Sequence, residues 1–447
     1  MTDLIVQHAL ILPIAGRRII HDGAVAVSEG RIEAIGKTDE IRRHFKADEI
    51  VDASKKFMMP GIINAHSHVG SAFVKGLTED REGGFYKIGL PVSHFVTPED
   101  IYYHSILGLI ETTKFGSTCI NEQWHYMDET AKVVESMGTR AVISETVFET
   151  DYMRMREKDW SRVAGKGEAT LAKNVELIKK WHGKADGRIL CRIGTHAPDT
   201  LEPELLIKAK EIAQKYNVGL HIHCAQSRAE IEYINKRYGV GSVEFLESIG
   251  FLGPDVIAAH LAWINDKEVA ILKKRGVHMA HCPVIMAKRG QFPPMQSIYS
   301  AGVNVAIGTD WLSMDPWDNM RAAIFISRVL SQKVSTLDAV RALEMATING
   351  ARALHLESTL GTLEVGKKAD FILVDLKKAH LYPMHDQYED VVSNIVYNVN
   401  GNDVDSVYVD GKPVVINHKC IRYNEEEAIE RAQKSAEDLW ARAKVFD

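Results

Sequence analysis

The sequence predicts an α/β protein: a parallel (β/α)8 barrel carrying a small β-sandwich domain built from both chain ends. Three observations lead there. Through the middle of the chain, apolar strand-like runs alternate with segments of helical period. These runs end at His66, Asn121, Glu145, His196, His223, His260, His281 and Asp310, so chemistry-bearing residues recur at strand ends. The two chain ends share another texture, short strands broken by tight turns. Eight strand ends in roughly 250 residues suit a β/α barrel, which works at the C-terminal ends of its strands. An open doubly wound sheet would normally show a glycine-rich dinucleotide loop after its first strand, and this chain has none.

Element by element, Leu4–Leu12, Ala24–Val27 and Arg31–Gly36 read as strands, with Asp22-Gly23 and Glu29-Gly30 as turns. Ala369–Asp375, Val404–Asp410 and Val414–Val415 repeat that pattern late in the chain, and Asp410-Gly411 marks a turn. Between them, Pro98–Phe115, Pro203–Tyr216 and Asp266–Arg275 have helical period. The expected units are 1–58 with 362–423 as the composite β-sandwich, 59–361 as the barrel, and 424–447 as a closing helix.

Composition narrows the function classes. The 447 residues are 45% hydrophobic and 26% charged, which excludes a disordered or fibrous chain. Net charge is -6 and no basic stripe occurs, so nucleic acid and membrane surfaces are not expected partners. The start of the chain lacks a basic segment followed by an apolar core, and no apolar run is long enough to span a bilayer. The five cysteines are scattered and odd in number, which speaks against a disulfide framework. A cytoplasmic protein acting on a small molecule is the expectation.

The most informative stretch is Pro60-Gly61-Ile62-Ile63-Asn64-Ala65-His66-Ser67-His68. Alternate strand residues face the same side, so His66 and His68 can aim together into a barrel mouth and suit a borderline ion such as zinc. His221 and His223 repeat the spacing at another strand end, and His260 and Asp310 follow at two more.

With His281-Cys282-Pro283, Gly308-Thr309-Asp310, Ala346–Ala351 and Gly361–Asp370, these motifs run through nearly the whole chain. Their order resembles the amidohydrolase superfamily. Within it, the chain is most similar to the deaminase and chlorohydrolase branch, which includes S-adenosylhomocysteine, guanine and melamine deaminases and atrazine chlorohydrolase. The resemblance implies that His66, His68, His223 and Asp310 hold one divalent ion, zinc or alternatively iron(II). Asp310 and His260 become the catalytic residues: Asp310 takes the proton of the attacking water, and His260 orients that water or helps bind the ion. The end of the fourth strand, Gly194-Thr195-His196, offers no lysine for a second metal. His196 matches a histidine that contacts substrate in the branch. His281, Glu122, Trp124 and Trp311 are expected to line the pocket, while His221 points away from the ion or packs beneath it. A homo-oligomer is also implied.

Two departures touch the pocket. In the branch, a glutamate follows the strand-five histidine by three residues and shuttles a proton, whereas this chain has Gln226. An amide hydrogen-bonds but carries no proton. After His-Cys-Pro the branch often has Ser-Asn, and this chain reads Val284-Ile285-Met286-Ala287-Lys288-Arg289. The expected reaction is hydrolysis of a non-peptide C–N bond at an amidine-like carbon, with release of ammonia or an amine. The substrate is an aminated N-heterocycle or a guanidine or guanylurea-type compound, and Gln226 is its neutral hydrogen-bond partner. The alternatives are a chlorohydrolase, or a cyclic amide or urea hydrolase, on the same barrel; a non-catalytic binding protein would usually have lost its ligands.

Overall fold

A computed structural model describes residues 2–445. Met1, Phe446 and Asp447, at the outer edges of the expected 1–58 and 424–447 units, lie outside the described residues. The chain begins with β1 (Thr2–Ile11), β2 (Ile20–Ser28), β3 (Arg31–Lys37), β4 (Ala47–Asp52) and β5 (Lys56–Pro60). It then enters the barrel through β6 (Ile62–Ser67), β7 (Ser117–Trp124), β8 (Arg140–Val147), β9 (Ile189–Cys191) and β10 (Ile193–Thr195). The barrel continues with β11 (Leu220–Cys224), β12 (Val256–His260), β13 (His278–His281) and β14 (Val305–Ile307). The chain returns through β15 (Phe371–Asp375), β16 (Val404–Val409), β17 (Lys412–Ile416) and β18 (Lys419–Cys420).

Strands from both ends form one hydrogen-bonded sheet in the order β18-β17-β16-β15-β5-β1-β2-β3, with β4 on β1. The two halves of the chain meet where β15 runs antiparallel to β5, Phe371 opposite Pro60. Strand alternation splits the apolar residues between two faces. Leu4, Val6, Val27, Ile32, Phe371 and Tyr408 share one core, whereas Ile5, Ala24 and Ala26 pack on the other face with Ile41. Ile32 on β3 and Tyr408 on β16 lie far apart in strand order yet share that core, so the sheet curls over itself as a sandwich.

The second sheet runs β14-β13-β12-β11-β10-β8-β7-β6, all parallel, with β9 paired to β8. It closes between its first and last strands: the backbone N–H groups of Thr309 and Asp310 both donate to the His66 carbonyl at 3.0 Å. Two of these strands end at the expected residues, β12 at His260 and β13 at His281. Strands β6, β10 and β11 end within one residue of theirs, whereas β7 runs on from Asn121 to Trp124 and β8 from Glu145 to Val147. Strand β14 stops at Ile307, three residues before Asp310. The helix Pro98–Lys114 starts at Thr97, whose hydroxyl accepts from Asp100 N, and has Pro98 in its first turn, where no N–H is needed. The closing helix Glu425–Ala443 packs on it: Ser435 Oγ donates to Asp100 Oδ1 at 2.8 Å, and Trp440 Nε1 donates to the Phe73 carbonyl.

At the N-terminal base of the barrel, charge ties the two bodies together. Arg140, the first residue of β8, donates to Asp370 at 2.9 and 3.1 Å and to Asp410 at 2.7 Å. Arg192, between β9 and β10, donates to the carbonyls of Ala353, Asp255 and Leu220. Among the described residues no helix is long and apolar enough to cross a membrane.

Candidate active site

At the opposite end of the barrel, four strand ends bring one carboxylate and four imidazoles together. His66 and His68 come from β6 and the residue after it, His223 from β11, His260 closes β12, and Asp310 follows β14. Asp310 Oδ1 lies 3.7 Å from His66 Nε2 and 3.3 Å from His68 Nε2, and its Oδ2 lies 3.7 Å from His260 Nε2. His223 Nε2 is 3.3 Å from His68 Nε2. Two triads, His66-His68-Asp310 and His66-His223-His260, keep their ligand atoms within 4.8 Å of one another.

The neighbours of these rings fix which nitrogen faces inward. His68 Nδ1 lies 2.5 Å from the Gln123 carbonyl, and His223 Nδ1 lies 2.7 Å from the His196 carbonyl. A carbonyl only accepts, so both Nδ1 atoms carry hydrogen and both Nε2 lone pairs point into the cluster. His66 Nδ1 meets His221 Nε2 at 2.8 Å, which puts His221 beneath the cluster as a support. His66 Nε2 is buried without a partner.

Electrostatics favours a cation here. Burial holds His68 down to about 3 and keeps His223 and His260 far below the usual imidazole range, so each stays neutral with a free lone pair. Burial pushes the Asp310 carboxyl upward, but the close histidines, His66 first, outweigh it and hold the group ionised. Neutral imidazoles with one carboxylate are the donor set of a borderline divalent ion, so these residues fit a metal. The backbone is strained at two of these positions: His260 has φ +80° and Asp310 φ +61°. Such conformations cost about 1–3 kcal/mol each for non-glycine residues, and cluster where geometry serves a site.

Around the cluster lie polar atoms that the fold itself leaves without partners. Gln226, 3% exposed, has an unpaired Nε2. Trp124 Nε1, Trp311 Nε1 and both ring nitrogens of His281 are likewise buried and unpaired. Trp124 packs its ring 5.1 Å from His68. His196 has its Nδ1 3.0 Å from Thr200 Oγ1, and its ring centre is 5.2 Å from that of His223. A cavity of about 490 Å³ opens beside Gln226 and Trp311, roofed by the segment from Thr78 to Tyr86. Just beyond that roof Trp311 packs so tightly on the Phe85–Gly89 turn that a Cβ on Gly89 would fall 2.5 Å from its ring, so only glycine fits there.

Glu122 is not brought to this cavity. Its side chain is fully buried, and Oε2 accepts from Ser67 Oγ at 2.7 Å and from Val69 N at 3.0 Å. Strand alternation explains the placement: Asn121 turns inward to the Ala65 carbonyl and His221, so Glu122 faces outward and braces the turn after β6. Removed from water, its carboxyl is pushed up to about 8. Glu230 is equally unable to replace the missing glutamate. It sits behind the loop, accepting from Ala225 N, Gln226 N and Ser242 Oγ at 2.7–2.9 Å.

One feature escapes the sequence reading, and a second is foreseen there only as part of a departure beside the pocket. The first is the pair of backbone carbonyls, from Gln123 and His196, that set the histidine tautomers; no side-chain pattern announces them. The other is Arg289, which follows the short helix Pro283–Lys288 and lines the cavity. Its available signal was the basic pair Lys288-Arg289 just past a strand end.

Comparison with known proteins agrees with this architecture. Residues 57–414 match the Amidohydrolase family. A 5'-deoxyadenosine deaminase from Methanosarcina acetivorans is 38% identical, over 99% of this chain and all of that protein. A 5-methylthioadenosine/S-adenosylhomocysteine deaminase from Desulforudis audaxviator is 35% identical, over 98% of this chain and 99% of that one. Among solved structures, an adenosine deaminase from Xanthomonas campestris with bound zinc superimposes with a TM-score of 0.91 at 26% identity, covering 98% of this chain and 99% of that one. The chain belongs to the amidohydrolase family and is a metal-dependent hydrolase of carbon–nitrogen bonds other than peptide bonds.

Proposed function

We propose that the protein deaminates an aminated nitrogen heterocycle: water adds at the carbon bearing the amino group, the C–N bond breaks, and ammonia leaves. Purine nucleosides with a free 6-amino group are the first substrates to test, because that chemistry is in the names of its relatives. The observation that carries the reading is the cluster itself, four imidazoles and one ionised carboxylate gathered at barrel strand ends.

In this reading His66, His68, His223 and Asp310 hold one divalent ion, zinc in the first instance. The bound ion supplies Lewis acidity and a water that ionises near neutral pH. The remaining work falls to the chain. Asp310, kept ionised, takes the proton released as water adds. His260 Nε2, 3.7 Å from Asp310 Oδ2, holds that proton in place for the departing amine. Gln226 cannot move a proton; its amide donates to a ring nitrogen or accepts from the amino group. Trp124 and Trp311 offer flat apolar faces to a planar ring.

Elemental analysis paired with an ammonia-release screen over nucleosides, triazines and guanidines tests this. About one ion per chain and ammonia formed one-for-one with product are expected. Two tightly bound ions per chain would overturn the single-ion site. Chloride release or ring opening without ammonia would overturn the deaminase reading.

A further inference from the structure

Resting on the deaminase reading, we propose that Arg289 is a specificity residue that selects substrates carrying a carboxylate away from the reacting carbon. The guanidinium lies against two aromatic faces, 5.1 Å from the Phe85 ring centre and 6.0 Å from that of Trp311. It is half-buried in the cavity wall, and among the described residues no carboxylate or carbonyl accepts from its side chain.

The other charges of the cavity do not answer it. Glu79 turns back to the N–H groups of Gly76 and Thr78 at 3.2 Å and faces Lys288 at 3.9 Å. Asp80 and Glu82 are exposed at the rim. Gln226, on the same wall, contributes a buried amide with an unpaired Nε2, and Trp311 contributes an unpaired N–H. Arg81 and Lys288 also line the cavity, but both are exposed, so Arg289 is the half-buried cation of this wall, and among the described residues no acceptor is hydrogen-bonded to it. A planar guanidinium matches a carboxylate through two parallel hydrogen bonds, and such bonds to charged groups are the strong ones. The aromatic faces hold the guanidinium plane in position, which lowers the ordering cost of that contact. About 490 Å³ accommodates a single heterocycle with a short acidic arm.

The test uses zinc-loaded full-length protein and two matched probes, 5'-deoxyadenosine and adenosine-5'-carboxylic acid, with binding followed by calorimetry and ammonia release measured separately. We expect the acid to bind at least tenfold more tightly than the neutral probe. The ratio should fall toward one in Arg289→Gln and recover part of its value in Arg289→Lys, which keeps the charge but loses the fork. Equal binding of the two probes by the wild type, a ratio unchanged in Arg289→Gln, or no binding of the acid each overturns the proposal. Tight, Arg289-dependent binding of the acid without ammonia release from either probe overturns the deaminase reading instead and leaves the carboxylate site standing.

Discussion

The two ends of the barrel differ in where their buried charged and ring donors point. At the base, Arg140 spends its donors on Asp370 and Asp410, and Arg192 spends its own on three carbonyls. At the mouth, His66 Nε2, His260 Nδ1, Gln226 Nε2, Trp311 Nε1 and both nitrogens of His281 are buried with no hydrogen-bond partner among the described residues. An unsatisfied buried polar group costs about 1–3 kcal/mol, which is the scale of what an ion, water or substrate returns when it meets one of these atoms. The contrast separates roles within one scaffold: the base holds the sandwich to the barrel, and the mouth keeps its hydrogen-bonding capacity for ion and substrate.

The largest effects should come from the mouth. His68→Ala removes an imidazole whose Nε2 is aimed into the cluster by the Gln123 carbonyl. Metal and activity should vanish together, with kcat/KM reduced by roughly a thousandfold or more. In His260→Ala most of the metal should remain while turnover drops by about 10²–10⁴-fold, the usual range for a lost acid–base group. Elemental analysis of both variants decides the matter: equal metal loss would make His260 a full ligand.

Asp370→Ala probes the base. It leaves the buried Arg140 guanidinium with Asp410 alone, and breaking such a pair costs about 3–5 kcal/mol. Urea unfolding should show that loss, with kcat/KM and metal content close to wild type in the folded protein. A variant of unchanged stability but impaired turnover would erase the division between the two ends.

How much of this division is legible in the sequence depends on the range of the contacts. Histidines two apart, as at 66 and 68, need only the alternation of a strand to share a side, so the cluster can be read from local spacing. The Arg140–Asp370 pair joins residues 230 apart in the chain, and nothing local marks it. Glu122 is expected in the pocket because it follows the strand-like run that ends at Asn121; which face it takes depends on Asn121 turning inward to Ala65 and His221. Arg289 was noticed as a departure, but its setting comes from Phe85 and Trp311, brought over it by two other loops.

Gln226→Glu sharpens the chemistry of the mouth at a smaller scale. It trades an amide donor for a carboxylate within a site that already contains Asp310. We expect about a tenfold loss in kcat/KM on the preferred substrate, together with a gain on neutral rings that need a carboxyl acid. Steady-state kinetics on the two substrate types reads both. Full activity of Gln226→Ala on the preferred substrate would show that the amide makes no contact that matters.

The smallest effect concerns pH, and it divides the two ends once more. His281 is fully buried with neither ring nitrogen paired, and burial alone lowers its pKa from 6.5 to about 3. Between those values the unfolded chain binds a proton that the folded chain refuses. Stability therefore falls as pH drops from about 6.5 toward 3, and above 6.5 this group contributes no slope. One such histidine gives at most ~1.4 kcal/mol per pH unit. Replacing it by an apolar ring of similar size, His281→Phe, should flatten the decline between pH 6.5 and 5 by about that amount, read from urea midpoints at each pH with metal bound. Other titrating groups, the metal ligands included, are common to both proteins and drop out of the difference. The Arg140 network is not expected to contribute in this window, because Arg140 remains charged throughout it and its pKa is raised further by Asp370 and Asp410. Identical slopes in wild type and His281→Phe would mean that His281 takes up its proton inside the folded protein, and the mouth would then be less closed to acid than its burial implies.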